Sequence, residues 1–271
     1  MSADLNIGIL GCGYVGKAAA QSLQHQHCVT ASTRRLNRIE ELSTYATKVV
    51  LLEKSFDSLL EEQDILIVSV APSQNDSYEQ CYLETARAIT QSIADYPRIK
   101  QIIYTSSTSV YGEHQGAWVD EDTEPKPSNK KTCILLETEN TLLSLASETL
   151  SICILRLGEI FGPGRELINR FNSHERKIFP GSGENFTNLT PLRDIVQVIN
   201  YAINNSLGGI YNLCLDEHPP RKLLYEQICK RNNFPVPLWD TQKQTIHVGN
   251  KRVLCDKIKL TGYSLPFQGL E

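Results

Sequence analysis

The chain has 271 residues, 41% of them hydrophobic, and a formal net charge of −4, which is length enough for one large α/β core or a nucleotide-binding domain with a smaller appendage. Charges of both signs are interspersed with no long basic block, which argues against a nucleic-acid surface. No run approaches the ~20 apolar residues of a membrane span, and Gly11, Gly13 and Lys17 interrupt the one apolar stretch near the N-terminus, so no leader or membrane anchor is expected and the chain is read as cytoplasmic.

Residues 5–10 read as a short apolar strand that runs into Gly11-Cys12-Gly13-Tyr14-Val15-Gly16, after which Val15, Ala18, Ala19 and Leu23 recur at helical spacing. A dinucleotide pyrophosphate needs this strand, turn and helix start. Gly11 permits the tight turn, Gly13 lets the backbone approach the phosphates, Gly16 lets the helix pack close to the strand, and the helix start offers its N–H groups. Gly11, Gly13, Tyr14, Val15 and Gly16 are the expected cofactor loop.

Further strands are expected at 28–32, 49–52, 64–70, around 102–104, and at 151–157, with helices over 78–95 and 134–146 between them. Nearly continuous apolar strands alternating with helices predict a doubly wound parallel sheet of Rossmann type, covered on both faces. Beyond Leu157 the alternation breaks up: 158–164 is loop-like, 191–204 a helix, 210–213 a short strand and 221–232 a late helix. The expected organisation is a dinucleotide-binding domain over 1–157 and a smaller mixed C-terminal substrate lobe over 158–271, with a soft boundary and interleaved lobes.

The second strand ends in Ser32-Thr33-Arg34-Arg35, where an NAD site places an acidic side chain for the ribose hydroxyls. The first acid downstream is Glu40, and Arg38 adds a third cation. Guanidinium groups pair with phosphate oxygens in bidentate fashion, so Thr33, Arg34 and Arg35 point to NADP rather than NAD. Ala71, just past the fourth strand, completes the expected cofactor set. The eight cysteines show no metal-ligand spacing, so no metal is expected and most read as small buried apolar residues.

After the fifth strand comes Tyr104-Thr-Ser-Ser-Thr-Ser-Val-Tyr-Gly112. With the glycine loop, Ile154-Leu-Arg-Leu-Gly-Glu-Ile-Phe-Gly-Pro-Gly164, Gly181-Ser-Gly183 followed by Leu192-Arg-Asp194, and Gly209-Ile-Tyr-Asn212, this run resembles the extended short-chain dehydrogenase/reductases, the NAD-dependent epimerase/dehydratase family. The likeness spans residues 5 to about 215 in order, and the pattern resembles that family's small bacterial YeeZ-like subgroup. In that family a Ser or Thr after the fifth strand hydrogen-bonds the reacting oxygen, and a Tyr-x-x-x-Lys pair moves the proton, the Lys lowering the tyrosine's pKa from near 10.

The resemblance implies Ser107 as the family's hydroxyl, with Thr108 its neighbour of equivalent chemistry. The proton pair is missing. Counting back from Glu137 puts Asn129 at the tyrosine position and Cys133 at the lysine position, and no tyrosine occurs between Gly112 and Asn200. Asn129 cannot transfer a proton, although its amide can hydrogen-bond a carbonyl or a ribose. Lys130 and Lys131 are near enough in sequence to reach a ribose or a substrate anion, and Arg156 and Arg165 are candidate anion contacts. Two functions follow: an NADP-dependent oxidoreductase or epimerase-like enzyme for a small hydroxylated or carbonyl compound, nucleotide sugars included, or a non-catalytic NADP(H)-binding sensor. The expected partner is a small-molecule substrate, and a homo-oligomer is compatible with the composition.

Overall fold

In the computed structural model, which describes residues 4–53, 55–73, 76–171, 175–243 and 249–264, the first part of the chain alternates strand and helix. β1 (Asn6–Leu10) leads into α1 (Tyr14–Leu23), β2 (Cys28–Thr33), the one-turn α2 (Ile39–Leu42), β3 (Lys48–Leu51), the one-turn α3 (Asp57–Leu60) and β4 (Ile65–Val68). A π-helical turn (Glu79–Leu83) continues into α4 (Glu84–Ser92), followed by β5 (Gln101–Ser107), the short β6 (Trp118–Val119), α5 (Lys130–Leu143) and β7 (Ser151–Leu157). The later chain carries β8 (Glu159–Phe161), β9 (Ile178–Pro180), β10 (Leu189–Pro191), α6 (Leu192–Asn204), β11 (Gly209–Leu213), α7 (Arg221–Arg231), β12 (Leu238–Asp240), β13 (Arg252–Val253) and α8 (Asp256–Leu260).

Seven strands make one sheet in the order β3-β2-β1-β4-β5-β7-β11. The pairings of β1 with β2 and β4, of β2 with β3 and of β4 with β5 are parallel, with Ile7 opposite both Val29 and Ile65 and Val68 opposite Tyr104. Every residue of β4 is buried, the signature of a strand covered on both faces. The chain lays β1, β2 and β3 in one direction and then returns to place β4 on the other side of β1. That reversal opens a crevice beyond the carboxyl ends of β1 and β4, the place where open α/β sheets receive ligands.

The chain divides into two compact units, one of Met1–Ser107, Cys133–Arg156 and Ile195–Tyr211, the other of Thr108–Thr132, Leu157–Asp194 and Asn212–Glu271. The first is built on an aliphatic core that includes Leu10, Leu66, Ile89, Ile102, Leu142 and Ile154. The second packs around Phe171, Leu189, Leu224 and Tyr225.

Two local expectations change. Residues 158–164 are not all loop, because β8 lies within them and pairs in parallel with β10, Glu159 opposite Leu189; three residues are too few to show a period. Helix α5 starts four residues before the apolar repeat begins at Ile134, because its first turn is closed by polar side chains that hydrophobic periodicity does not see.

Candidate functional site

The crevice beyond β1 and β4 holds a cavity of about 590 Å³ in the first unit, lined by Gly11, Gly13, Thr33, Arg34, Arg35 and Ala71 among others. Its floor is the glycine loop. Gly11 adopts φ +94°, and a Cβ there would lie 2.5 Å from the carbonyl oxygen of Ser69. Gly16 is buried in α1, where a Cβ would fall 2.2 Å from the Gly11 carbonyl oxygen, so the helix start can sit on the loop only with glycine at that position. Gly13 differs from both, since a Cβ on it would meet nothing within 4 Å. It forms the N-cap of α1 with no side-chain cap and no acidic residue in the first turn. The helix therefore presents backbone N–H groups and the positive end of its dipole to open space, a cradle that fits a pyrophosphate. Tyr14 is half-buried and Val15 buried in the first turn, beside the residues that line the cavity.

Arg34 and Arg35 are exposed on the rim of the same cavity and form no salt bridge among the described residues. The Thr33 hydroxyl accepts the Arg35 N–H at 3.0 Å, fixing the turn that projects them. Arg38 is committed differently: its Nη2 donates to the Cys12 carbonyl at 3.0 Å and its Nε to Glu41 at 3.1 Å, which ties α2 to the glycine loop. The Cys12 thiol is buried, and burial pushes it up to about 11, so it is no thiolate at neutral pH. The loop after β4 adds Ser69, Ser73 and Asp76 to the cavity. Hydrogen bonds from Ser73 hold the Asp76 carboxyl below its ordinary range, with Arg34 and Arg35 reinforcing them. Asp76 had no signal in the sequence beyond its place after a strand that borders the switch point.

At the end of β5 the pleat separates adjacent hydroxyls. Ser106 points into the core and donates to Glu139 Oε1 at 2.5 Å, while Ser107 is half-buried on the opposite face with Thr105. Thr108 begins a buried 3-10 turn. Glu139 also receives Arg156 through Nε at 3.1 Å and Nη2 at 2.7 Å, so Arg156, 2% exposed, is a core ion-pair residue and not an anion contact. Arg165 is exposed. The Tyr111 hydroxyl donates to Asn212 Oδ1 at 2.9 Å in the interior, so it is not placed as the missing tyrosine.

Asn129 caps α5. Its Oδ1 accepts the Thr132 N–H at 3.0 Å and the Thr132 hydroxyl accepts the Asn129 N–H at 3.2 Å, a reciprocal closure of the helix start. Lys130, Lys131 and Cys133 are exposed. Of the two nearby glutamates, Glu137 is exposed and paired with Arg87 at 2.7 Å, whereas Glu139 is buried. The same count taken from Glu139 places Lys131 and Leu135 at the positions of the proton pair, and neither count yields a tyrosine or the following lysine.

Burial raises the Asp194 carboxyl to about 6, against a partial offset from Arg193 at 3.7 Å. Among the described residues no three His, Cys, Asp or Glu side chains gather as a metal site, and no helix is long and apolar enough to cross a membrane. One pair of cysteines 41 positions apart in sequence does meet: Cys214 and Cys255 lie with their sulfurs 3.3 Å apart in the second unit.

The chain is similar to known proteins in sequence and in fold. Protein YeeZ of Escherichia coli (strain K12) is 30% identical over 246 residues, covering 85% of each chain. The fold matches that of a functionally unknown conserved protein from Silicibacter pomeroyi DSS, with TM-score 0.80 and 24% identity over 98% of this chain and 95% of that one. It also matches a variant of UDP-glucuronic acid 4-epimerase from Bacillus cereus, solved with UDP-4-deoxy-4-fluoro-glucuronic acid and NAD, with TM-score 0.84 and 17% identity over 97% and 95% of the two chains. The NAD dependent epimerase/dehydratase family matches residues 7–214, from β1 through β11, and it is to this family that the chain belongs.

Proposed function

We propose that the chain binds NADP(H) on its glycine loop and acts as an oxidoreductase or epimerase-like enzyme on a small hydroxylated or carbonyl compound. The observation that carries this reading is the open face of Gly13 at the uncapped start of α1, in one cavity with Arg34 and Arg35. The helix start suits the pyrophosphate, and the two guanidiniums suit a further phosphate on the ribose. A nicotinamide dinucleotide bound there supplies hydride transfer. The chain's part is then to hold it and to orient a substrate, with Ser107 and Thr108 assigned to the reacting oxygen and the Asn129 amide N–H groups to orientation, since its amide oxygen is spent on the helix cap. Nucleotide sugars are the first substrates to test, because the Bacillus cereus protein of like fold was solved with one.

Calorimetric titration with NADPH, NADP+, NADH and NAD+ tests the cofactor. Arg34→Ala with Arg35→Ala should weaken NADPH by about 10-fold or more, each lost phosphate pairing being worth on the order of 1–2 kcal/mol, and leave NADH nearly unchanged. Equal losses for both would sink the assignment. In a cofactor-oxidation screen against sugars, aldehydes and ketones, Ser107→Ala should lower kcat/KM by ~10²-fold without changing NADPH binding.

A second reading, an NADP(H) sensor without turnover, is favoured by the buried engagement of Tyr111 and the lack of any tyrosine from Gly112 to Asn200. Tight NADPH binding with no oxidation across the whole screen decides for it.

A further inference from the structure

Among the described residues that line the cavity beyond β1 and β4, Asp76 is the one acid, and it shares that cavity with Arg34 and Arg35. We propose that Asp76 is a specificity-determining residue of this cleft: it takes a ribose hydroxyl of an unphosphorylated dinucleotide and opposes the 2′-phosphate that Arg34 and Arg35 attract, so that the chain accepts both NAD(H) and NADP(H). This role rests on the cofactor reading above and supplies the acid that the end of β2 lacks.

A carboxylate for the ribose hydroxyls ordinarily follows the second strand, but β2 ends at Thr33 and two arginines come next. The acids downstream do not replace it. Glu40 and Glu41 belong to α2 and do not line the cavity, and Glu41 is held by Lys17 and Arg38, each at 3.1 Å. Asp76 arrives instead from the loop after β4. Ser73 fixes it there: the Ser73 N–H at 3.1 Å and hydroxyl at 2.7 Å both donate to Asp76 Oδ2, and the Asp76 N–H donates back to the Ser73 carbonyl at 3.2 Å. Among the described residues nothing donates to Oδ1, which leaves that oxygen for a ligand's donor. An ionised carboxylate only accepts, so it suits a hydroxyl and repels a phosphate.

The sheet order sets these charges on two sides of the ligand. Strands β2 and β4 flank β1, so a dinucleotide seated on the glycine loop after β1 has the arginines on one side and Asp76 on the other. Among the described residues Asp76 closes no salt bridge with Arg34 or Arg35, yet their field reaches it and helps to keep it ionised. The opposite charges therefore face the cleft without cancelling each other. Arg34 and Asp76 also border an adjoining cavity of about 640 Å³, whose wall adds Glu53, Asp57, Glu84 and Asp95 and no further cation. A second phosphate thus meets two guanidiniums in a surrounding that is otherwise negative, and Asp76 is the acid that stands in the same cavity as the arginines.

The test is calorimetry on the full chain with NADPH and NADH, at low ionic strength and at about 0.5 M salt. Asp76→Asn keeps an oxygen for the Ser73 donors and deletes the charge. At low salt NADPH should bind about 5-fold more tightly and NADH about 2-fold more weakly, moving the ratio of the two affinities about 10-fold toward NADPH. Asp76 is exposed, so this shift should shrink at about 0.5 M salt, whereas a shift caused by altered loop shape would persist. Glu84→Gln removes one charge from the adjoining cavity and should move the ratio by less than about 2-fold. An unchanged ratio in Asp76→Asn, an equal shift in Glu84→Gln, or a shift that salt leaves intact would overturn the proposal. The Arg34→Ala, Arg35→Ala chain separates the two levels: equal losses of NADPH and NADH there defeat the cofactor reading and this role together, while a selective loss of NADPH beside a silent Asp76→Asn defeats this role alone.

Discussion

Three glycines within six positions of the loop carry different physical loads, and the difference can be measured. A methyl group on Gly16 would have to displace the Gly11 carbonyl, so Gly16→Ala should cost about 1–3 kcal/mol of stability, the usual price of overpacking a fixed backbone. Gly13 has φ −82° and ψ −144°, past the edge of the extended region, and open space in front of it, so a methyl there meets some backbone strain and no clash. Gly13→Ala should therefore cost about 1 kcal/mol of stability, alanine being the poorer N-cap, yet bind NADPH about 10-fold or more weakly because the new methyl stands where a phosphate would lie. Unchanged NADPH affinity in Gly13→Ala would contradict the phosphate cradle. The same scale separates Ser106 from Ser107. In sequence they are equivalent hydroxyls; in the pleat one is locked to Glu139 and the other faces away from it.

Helix α5 shows how an element can hide its own start. Apolar periodicity begins at Ile134, but the helix is set at Lys130 by the reciprocal bonds of Asn129 and Thr132. Asn129→Ala should lower stability by about 1 kcal/mol, the typical worth of an N-cap side chain, whereas Asn129→Asp should retain it, since a carboxylate caps as well and suits the helix dipole. Thermal melts check the pair. If Asn129 also orients a substrate, Asn129→Asp will keep the melting point and lose turnover, because the amide N–H groups are gone while the capping oxygen stays. The element scale likewise decides which glutamate matters: Glu137 and Glu139 are two residues apart, and only Glu139 turns inward to hold Arg156 and Ser106 together between α5, β7 and β5.

Across the whole molecule, pH acts on stability through groups whose folded environment opposes their charge. Asp194 has its carboxyl raised to about 6 by burial, above the unfolded value of 3.8. Between those values the folded chain holds the proton more tightly than the unfolded chain, so this group's contribution falls as pH rises from about 4 to about 6 and stays lost above. Asp194→Asn should thus be more stable than the parent by about 1–2 kcal/mol at pH 7 and equal to it near pH 4, since only the ionised form is penalised. Denaturant titrations at the two pH values check this, and a gain that is the same at both would show that charge is not the cause. The carboxyls of Asp64 and Glu159 run the opposite way: their partners Arg98, Arg170 and Arg221 hold them below the ordinary range, and their contribution is lost as acid protonates them.

The strands, the glycine loop and the doubly wound order were legible because each is written locally: apolar runs of four to seven residues, a glycine wherever backbone meets backbone, and alternation of strand with helix. The arginine pair after β2 was legible for the same reason, being one residue from the strand end. Contacts made across long stretches of chain were not. The Glu139–Arg156 ion pair with its Ser106 hydrogen bond, the Cys214–Cys255 contact and the engagement of Tyr111 by Asn212 join residues 17 to 101 positions apart. Hydrophobic period and turn chemistry report on neighbours in sequence, whereas the fate of a buried charge or hydroxyl depends on which distant partner the packed core brings within hydrogen-bond reach. The sequence alone therefore determined a Rossmann-type scaffold with a dinucleotide cradle, and the tertiary structure decided which polar side chains are consumed in holding that scaffold and which are left to meet a ligand.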